Sequence, residues 1–252
     1  MLKLTSYGSC GMLNLIALTL FLFSALSASA QVTFTDNREE FLAANPDLLF
    51  QDFPGASVGP GEFLDCNPPV NSRSNDECFK PGQIFKGLEF TDDPGPDPGD
   101  LFIAGADVVG NNNPANVLAN DNFDDSFDII FTLPQVKAVG LTIGCLSEGV
   151  PCSEGARVLV SGIDGLLGET VVPASSAFDS FLGIASSEGI TKISLRHENP
   201  GSDSVQGVLN VWFKSEATNI PTLSAWGMIA AAGGLMLVGV LFALKKRKAQ
   251  AV

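Results

Sequence analysis

Phe127-Asp128-Ile129-Ile130-Phe131-Thr132-Leu133, followed after Pro134 and Gln135 by Val136-Lys137-Ala138-Val139-Gly140-Leu141-Thr142-Ile143, decides the fold class. Successive side chains of a strand point to opposite faces, so Phe127, Ile129 and Phe131 share one face of a first strand. Val139, Leu141 and Ile143 share one face of a second. The same period of two recurs at Ile193 and Leu195, predicted to point inward while Lys192, Ser194 and Arg196 point out. Between the apolar runs Arg157–Ile163 and Leu166–Val172 stands Asp164-Gly165, a two-residue hairpin signal.

Outward from these segments the pattern continues. Further strands are expected at 48–53, 87–91, 101–104, 181–184, 191–197 and 208–213, separated by Gly, Pro, Asn and Asp. The stretches Asn67–Pro81 and Asp92–Asp100 read as surface loops. One short helix is expected over Asp36–Ala44, with Asp36 as its cap, Glu39 completing a capping box and Pro46 just past its end. Around ten short strands of this kind predict an all-β domain, an antiparallel sandwich of jelly-roll type. The composition agrees: charged residues are only 17% of the chain, while 26 Gly and 15 Pro supply turns rather than helices.

The ends differ from the body. Lys3, an apolar run from Met12 to Leu26 and Ala28-Ser29-Ala30 form the pattern of a secretory signal peptide, with cleavage expected after Ala30. At the other end Trp226–Leu244 is 19 residues of apolar sequence, about the length that spans a bilayer core. Trp226 stands at its outer edge, and Lys245, Lys246, Arg247 and Lys248 follow at once, which places that end in the cytoplasm and the domain outside. The expected organisation is residues 1–30 signal peptide, 31–213 extracytoplasmic domain, 214–219 linker, and 220–252 membrane-anchoring tail.

Just before the apolar span stands Ile220-Pro221-Thr222-Leu223-Ser224-Ala225-Trp226-Gly227. From Ile220 onward the chain resembles the IPTL-CTERM sorting domain, a relative of PEP-CTERM, whose tails join a short motif, one apolar helix and a basic end. Ile220, Pro221, Thr222, Leu223, Trp226 and Gly227 match the pattern. Ser224 and Ala225 fall where it is loose, although Glu is frequent at the place of Ala225. The resemblance implies processing by an exosortase-type membrane enzyme in a Gram-negative bacterium that makes extracellular polysaccharide. Pro221 also has a physical role: it lacks an amide hydrogen and biases Ile220 toward extended geometry, keeping the segment out of the helix. The body is similar in style to PEP-CTERM ectodomains at Phe85–Phe90, Val136–Leu141 and Phe181–Ile184, which implies a β-sandwich and contact with exopolysaccharide.

Charge and chemistry narrow the function. All 28 acidic residues lie between Asp36 and Glu216, against nine basic ones in the domain, a net of −19. A surface of that sign excludes nucleic acid and anionic lipid as partners. Four cysteines remain after loss of Cys10 with the signal peptide, and an even count in an exported chain reads as disulfides. Three pairings are possible; Cys66–Cys78 and Cys145–Cys152 are favoured because short loops close most easily. The acidic groups Asp92, Asp93, Asp97 and Asp100, and Asp121, Asp124, Asp125 and Asp128, have the oxygen ligands that Ca2+ takes, but neither fits an EF-hand. The alternative is solvated acidic loops. His197, the only histidine, continues the inward line of Ile193 and Leu195 and reads as a partly buried strand-end residue. Trp212 and Phe213 alternate, so one is expected inside and one outside, where a Trp could stack on a sugar. No nucleophile motif appears, and no enzyme activity is expected. Three readings follow: a structural or adhesive surface protein without catalysis; a glycan-binding module, which needs an acidic or aromatic groove; and a secreted glycoside hydrolase, which needs two carboxylates facing one cleft.

Overall fold

The alternating stretch at Phe127 forms a strand, Phe127–Phe131 (β8), and the next forms Val136–Ser147 (β9), longer than its apolar run. In this computed structural model the residues described are 32–54, 58–92, 101–108, 111–121, 126–147, 152–198 and 204–215. The chain divides into two units, Met1–Ser215 and Glu216–Val252. The signal peptide and the whole 220–252 tail, with its sorting motif and apolar span, lie outside the described residues. Among the described residues no helix is long and apolar enough to cross a membrane.

The domain is all-β and antiparallel, with one short helix. Before β8 come Val32–Thr35 (β1), the helix Arg38–Ala44 (α1), Leu49–Gln51 (β2), Phe63–Cys66 (β3), Val70–Asn71 (β4), Leu88–Asp92 (β5), Leu101–Ala104 (β6) and Val117–Asn120 (β7). After β9 come Ser153–Gly162 (β10), Gly165–Ser175 (β11), Ser180–His197 (β12) and Ser204–Ser215 (β13). The hydrogen-bonded order is β3-β6-β7-β13-β9-β12-β8-β5-β4, with β1 and β10 also on β12, β11 on β10, and β2 on β13. Strands far apart in that order, β6 and β7 at one end and β8 and β5 at the other, bury Leu101, Ile103, Leu118, Phe127, Ile129 and Phe90 in one core. A sheet whose two ends share a core must fold over on itself, which is the layering of a β-sandwich.

β12 makes the turn between layers. Its first part pairs with β9 and β1, through Phe181↔Thr142 and Gly183↔Thr35, and its second part with β8 and β10, through Ile193↔Ile129 and Leu195↔Val158. Two strands were expected here, at 181–184 and 191–197. The residues between them, among them the buried Ile190, continue the ladder. Four short strands, β1, β3, β4 and β7, carry no local pattern strong enough to predict them. The hairpin stands where expected, but Gly162 pairs with Gly165, so the turn lies on Ile163 and Asp164, and Gly165 follows it at φ 121°, a conformation that favours glycine.

Three further expectations are corrected. The helix is capped by Asn37, not Asp36: Asn37 Oδ1 accepts from the Glu40 amide at 3.1 Å, and its Nδ2 donates to Glu40 Oε2 at 3.2 Å. The cap is therefore shifted by one residue, and Glu40 meets the Asn37 side chain rather than its backbone amide, which donates to Thr35 Oγ1 at 3.1 Å; Phe41 is buried and Asp36 stays outside the helix. Asn67–Pro81 is not a solvated loop, because Val70, Cys78 and Phe79 are buried in the main core. Ser194 is buried as well, beside its cross-strand neighbour Asp128. Both disulfides form as favoured, Cys66–Cys78 and Cys145–Cys152.

Candidate functional site

β9 sends Leu141, Ile143 and Cys145 into the core, so its other phase, Gly140-x-Thr142-x-Gly144, faces outward. A Cβ on Gly140 would stand 3.1 Å from the Phe41 ring and 3.2 Å from Phe181, and one on Gly144 would enter the Phe178 ring. The two glycines thus let aromatic rings sit directly on the strand to either side of Thr142. Phe178 reaches its place with φ 50°, unusual for a bulky residue, and burial of its ring to 2% exposure offsets that strain. Between the rings a groove of about 510 Å³ is left open.

Thr142 forms its floor. Across the ladder from Thr142 stand Asn210 on β13 and Phe181 on β12. The β13 register shifts between Val208 and Asn210, leaving Leu209 as an extra residue, and this bulge is why consecutive residues Leu209 and Asn210 both line the groove. The walls carry Asp36 from the segment before α1, Arg38 from its first position, and Asp179 from the β11–β12 turn. Asp179 Oδ1 accepts from Ser175 Oγ at 2.8 Å. The Arg38 guanidinium lies 4.7 Å from the centre of the Trp212 ring, a cation–π contact that holds it along the groove edge. Among the described residues, the buried Oδ1 of Asn210 has no hydrogen-bond partner, and its cross-strand neighbour Thr142 is 6% exposed. A polar atom left unpaired beside a groove that mixes aromatic and charged side chains is what a ligand site presents.

Sequence alone does not reveal this site: Asp36 reads as a helix cap, and nothing in the local pattern marks Asp179. The available signal was the pair of glycines bracketing Thr142 on the outward phase of a strand whose other residues from Ala138 to Leu146 are apolar. Trp212 does not stand exposed for stacking: it is 6% exposed, covered by Phe50 at 5.0 Å and Phe181 at 5.8 Å between ring centroids. Trp212 and Phe213 are both buried: Phe213 lies in the main core, and Trp212, on the other face, is flanked by the ring of its cross-strand neighbour Phe50 and by Arg38 of α1.

The other candidates are placed elsewhere. His197 is a partly buried residue at the end of β12, as expected, its side chain 6% exposed, with Nδ1 3.2 Å from Glu154 Oε2 and 3.3 Å from Gln206 Nε2. Ser204 Oγ donates to the same Glu154 oxygen at 3.0 Å, and Ser204 is 1% exposed. The hydroxyl is on the carboxylate rather than on the imidazole, and no substrate reaches it, so this is not a nucleophilic triad. Of the Ca2+ candidates, Asp121 is exposed after β7, and Asp124 and Asp125 lie outside the described residues. Asp128 is 3% exposed and already bound, by Lys192 Nζ at 2.8 Å and Ser126 Oγ at 3.0 Å. In the first acidic group Asp92 is buried at the end of β5, and Asp93, Asp97 and Asp100 lie outside the described residues. Among the described residues no group of three His, Cys, Asp or Glu side chains gathers to hold a metal ion. Replacing Lys192 with Met, which strands the Asp128 carboxylate, is expected to cost about 2 kcal/mol, less than a fully buried pair because Lys192 is part-exposed. The shift of the urea midpoint measures it.

No protein-family model matches the chain, and no curated protein matches it. Among solved structures, the K1 cleaved adhesin domain of Lys-gingipain from Porphyromonas gingivalis W83 aligns at 13% identity and TM-score 0.32, over 68% of this chain and 100% of that one. A glycoside hydrolase family 43 arabinoxylan arabinofuranohydrolase from Bacillus subtilis aligns at 12% identity and TM-score 0.27. That match covers 63% of this chain and only 28% of the hydrolase. At these scores neither likeness bears on ligand or activity.

Proposed function

We propose that this chain is an exported cell-surface or extracellular-matrix protein with an adhesive, non-catalytic role, and that it holds exopolysaccharide in the outer-face groove. The observation that carries the reading is the groove itself, lined by Thr142, Phe181 and Asn210, whose Oδ1 has no hydrogen-bond partner among the described residues. Two formed disulfides suit an oxidising compartment outside the cytoplasm. In this reading the sandwich is of jelly-roll type. The 220–252 tail supplies a transmembrane helix and a sorting signal for an exosortase-type enzyme, which delivers the domain to the surface.

The test is equilibrium binding of the oxidised mature protein, purified in detergent, to the host's own exopolysaccharide, with and without Ca2+. Saturable binding without release of reducing ends is the expected result. No binding in either condition overturns the groove's role. Release of reducing ends, abolished by Asp36→Asn or Asp179→Asn, favours the hydrolase instead, since both carboxylates line this groove.

The tail has its own test. Replacing Pro221 or Trp226 with Ala is expected to leave uncleaved precursor in the membrane fraction, seen as a slower band on blotting. Processing and release of both variants at the normal rate would remove the sorting reading.

A further inference from the structure

We infer that the tip of the β10–β11 hairpin, Ile163 with Leu166, rests on a zwitterionic lipid surface and sets which end of the domain faces the membrane. The inference rests on the reading of 220–252 as a membrane anchor, and it is independent of the groove.

Among the described residues Ile163, at 89% exposure, and Leu166, at 59%, are the two most exposed large hydrophobic side chains, and they share one hairpin tip. The turn does not call for an isoleucine. Its positive φ falls on Gly165, and Ile163 and Asp164 have none, so a polar residue would serve at 163 without exposing apolar surface to water.

The tip lies where the chain enters and leaves the domain. β10 ends at Gly162, opposite Ile190, and a Cβ on the preceding Gly189 would stand 3.6 Å from the Gln135 Cα. Gln135 adjoins Val136, whose cross-strand partner is Ser215, the last residue of β13. Val32, the first residue of β1, is here as well, its Cβ 3.3 Å from where one on Gly168 would stand. Trp226 stands 11 positions after Ser215, a stretch that reaches about 40 Å at most when extended. A tail held in a bilayer therefore makes this end of the domain the one within reach of the lipid surface. Two side chains of this size would not hold a free domain there, but on a tethered one their contact is intramolecular, at a raised effective concentration. Charge sets the kind of surface. Asp164 stands between the two side chains in the chain, and the domain carries a net −19, so anionic headgroups repel it and the tip goes no deeper than the headgroup level of zwitterionic lipid.

The experiment places the full mature protein in nanodiscs of phosphatidylethanolamine and phosphatidylcholine, part of the lipid carrying a nitroxide quencher in its headgroup. An environment-sensitive dye is attached after folding, without reductant, to Asp164→Cys or, in a second protein, to Asp121→Cys. Asp121 is exposed and follows β7, which pairs with β13 at Gly207, toward the opposite end of that strand from Ser215. The dye at 164 is expected to emit at shorter wavelength and to lose most of its intensity to the quencher, and the dye at 121 to lose none. Adding Ile163→Ser and Leu166→Ser to the 164 protein is expected to restore the intensity, with the melting temperature unchanged because both side chains stand out in water. Equal quenching at the two positions, or quenching at 164 that the two serines leave unchanged, overturns the inference. No quenching at 164 in discs that hold the protein overturns it and leaves the anchor reading standing. Short-wavelength emission at 164 that the lipid does not quench puts the tip against a second copy of the chain and overturns it as well. Failure of the protein to enter the discs removes the anchor reading and this inference with it.

Discussion

Trp212→Ala is expected to lower the unfolding free energy by about 3–5 kcal/mol, the range for removing a buried large aromatic. For a domain of this size that moves the thermal midpoint by roughly 10 °C. Trp212 is 6% exposed although it points away from the main core, because three separate segments close over it. Phe50 of β2 lies 5.0 Å from it, Phe181 of β12 5.8 Å, and Arg38 of α1 stands 4.7 Å above the ring. Phe181 keeps its contact with Phe41 at 5.7 Å, but the space left between Phe50, Phe181 and Arg38 is that of an indole, so a cavity remains. Arg38 and Phe181 both line the groove, so loss of Trp212 is also expected to weaken saccharide binding at temperatures where the variant is still folded. Trp212→Phe, which keeps an aromatic face under Arg38, is expected to lose much less of both. A loss below about 1 kcal/mol in the alanine variant would mean the outer layer packs without its tryptophan. Calorimetric melting of both variants decides it.

Removing the Cys66–Cys78 disulfide by paired alanine substitution is the second large expected effect. The bridge spans a sequence separation of 12, and the loop-entropy model assigns a loop of that size about 3 kcal/mol. The Cys145–Cys152 bridge, at a separation of 7, is worth about 2.5 kcal/mol by the same model. The real difference is expected to be larger than the model's. The first bridge pins a segment that contributes Val70, Phe79 and Ile84 to the main core, all at 1% exposure or less. Once it is open, that segment leaves the core at low cost and takes its packing with it. Denaturant midpoints for the two double variants, measured without reductant, test the ranking. An equal or greater cost for the Cys145–Cys152 pair would mean that packing alone seats the 67–81 segment.

What was read correctly from the chain was local in nature. Alternation placed Phe127, Ile129 and Phe131 on one buried face, and Leu141 and Ile143 on another. The hairpin was found to within one residue, and loop length alone ranked the cysteine pairings in the order observed. The helix was found, but its cap was set one residue early. Asp36 and Asn37 are both good caps, and which one acts depends on Phe41 docking against Gly140 and Gly183 of the sheet.

The sequence by itself therefore determined an antiparallel β domain with an acidic surface, its strongest strands, one hairpin and two disulfides. Each of these depends on residues a few positions apart, whose side-chain period, turn geometry or loop-closure entropy is written into the local order. Only the tertiary structure decided which faces are covered and by what. It buried the 67–81 segment, fused two expected strands into β12 across both layers, and turned Trp212 from a candidate exposed ring into a covered one. It also brought Asp36, Thr142, Asp179 and Asn210 to one groove, from strands and turns spread over more than 170 residues of chain. Such a site is set by how sheet, bulge and helix pack together, and packing between distant segments leaves no periodic trace in the chain that folds into it.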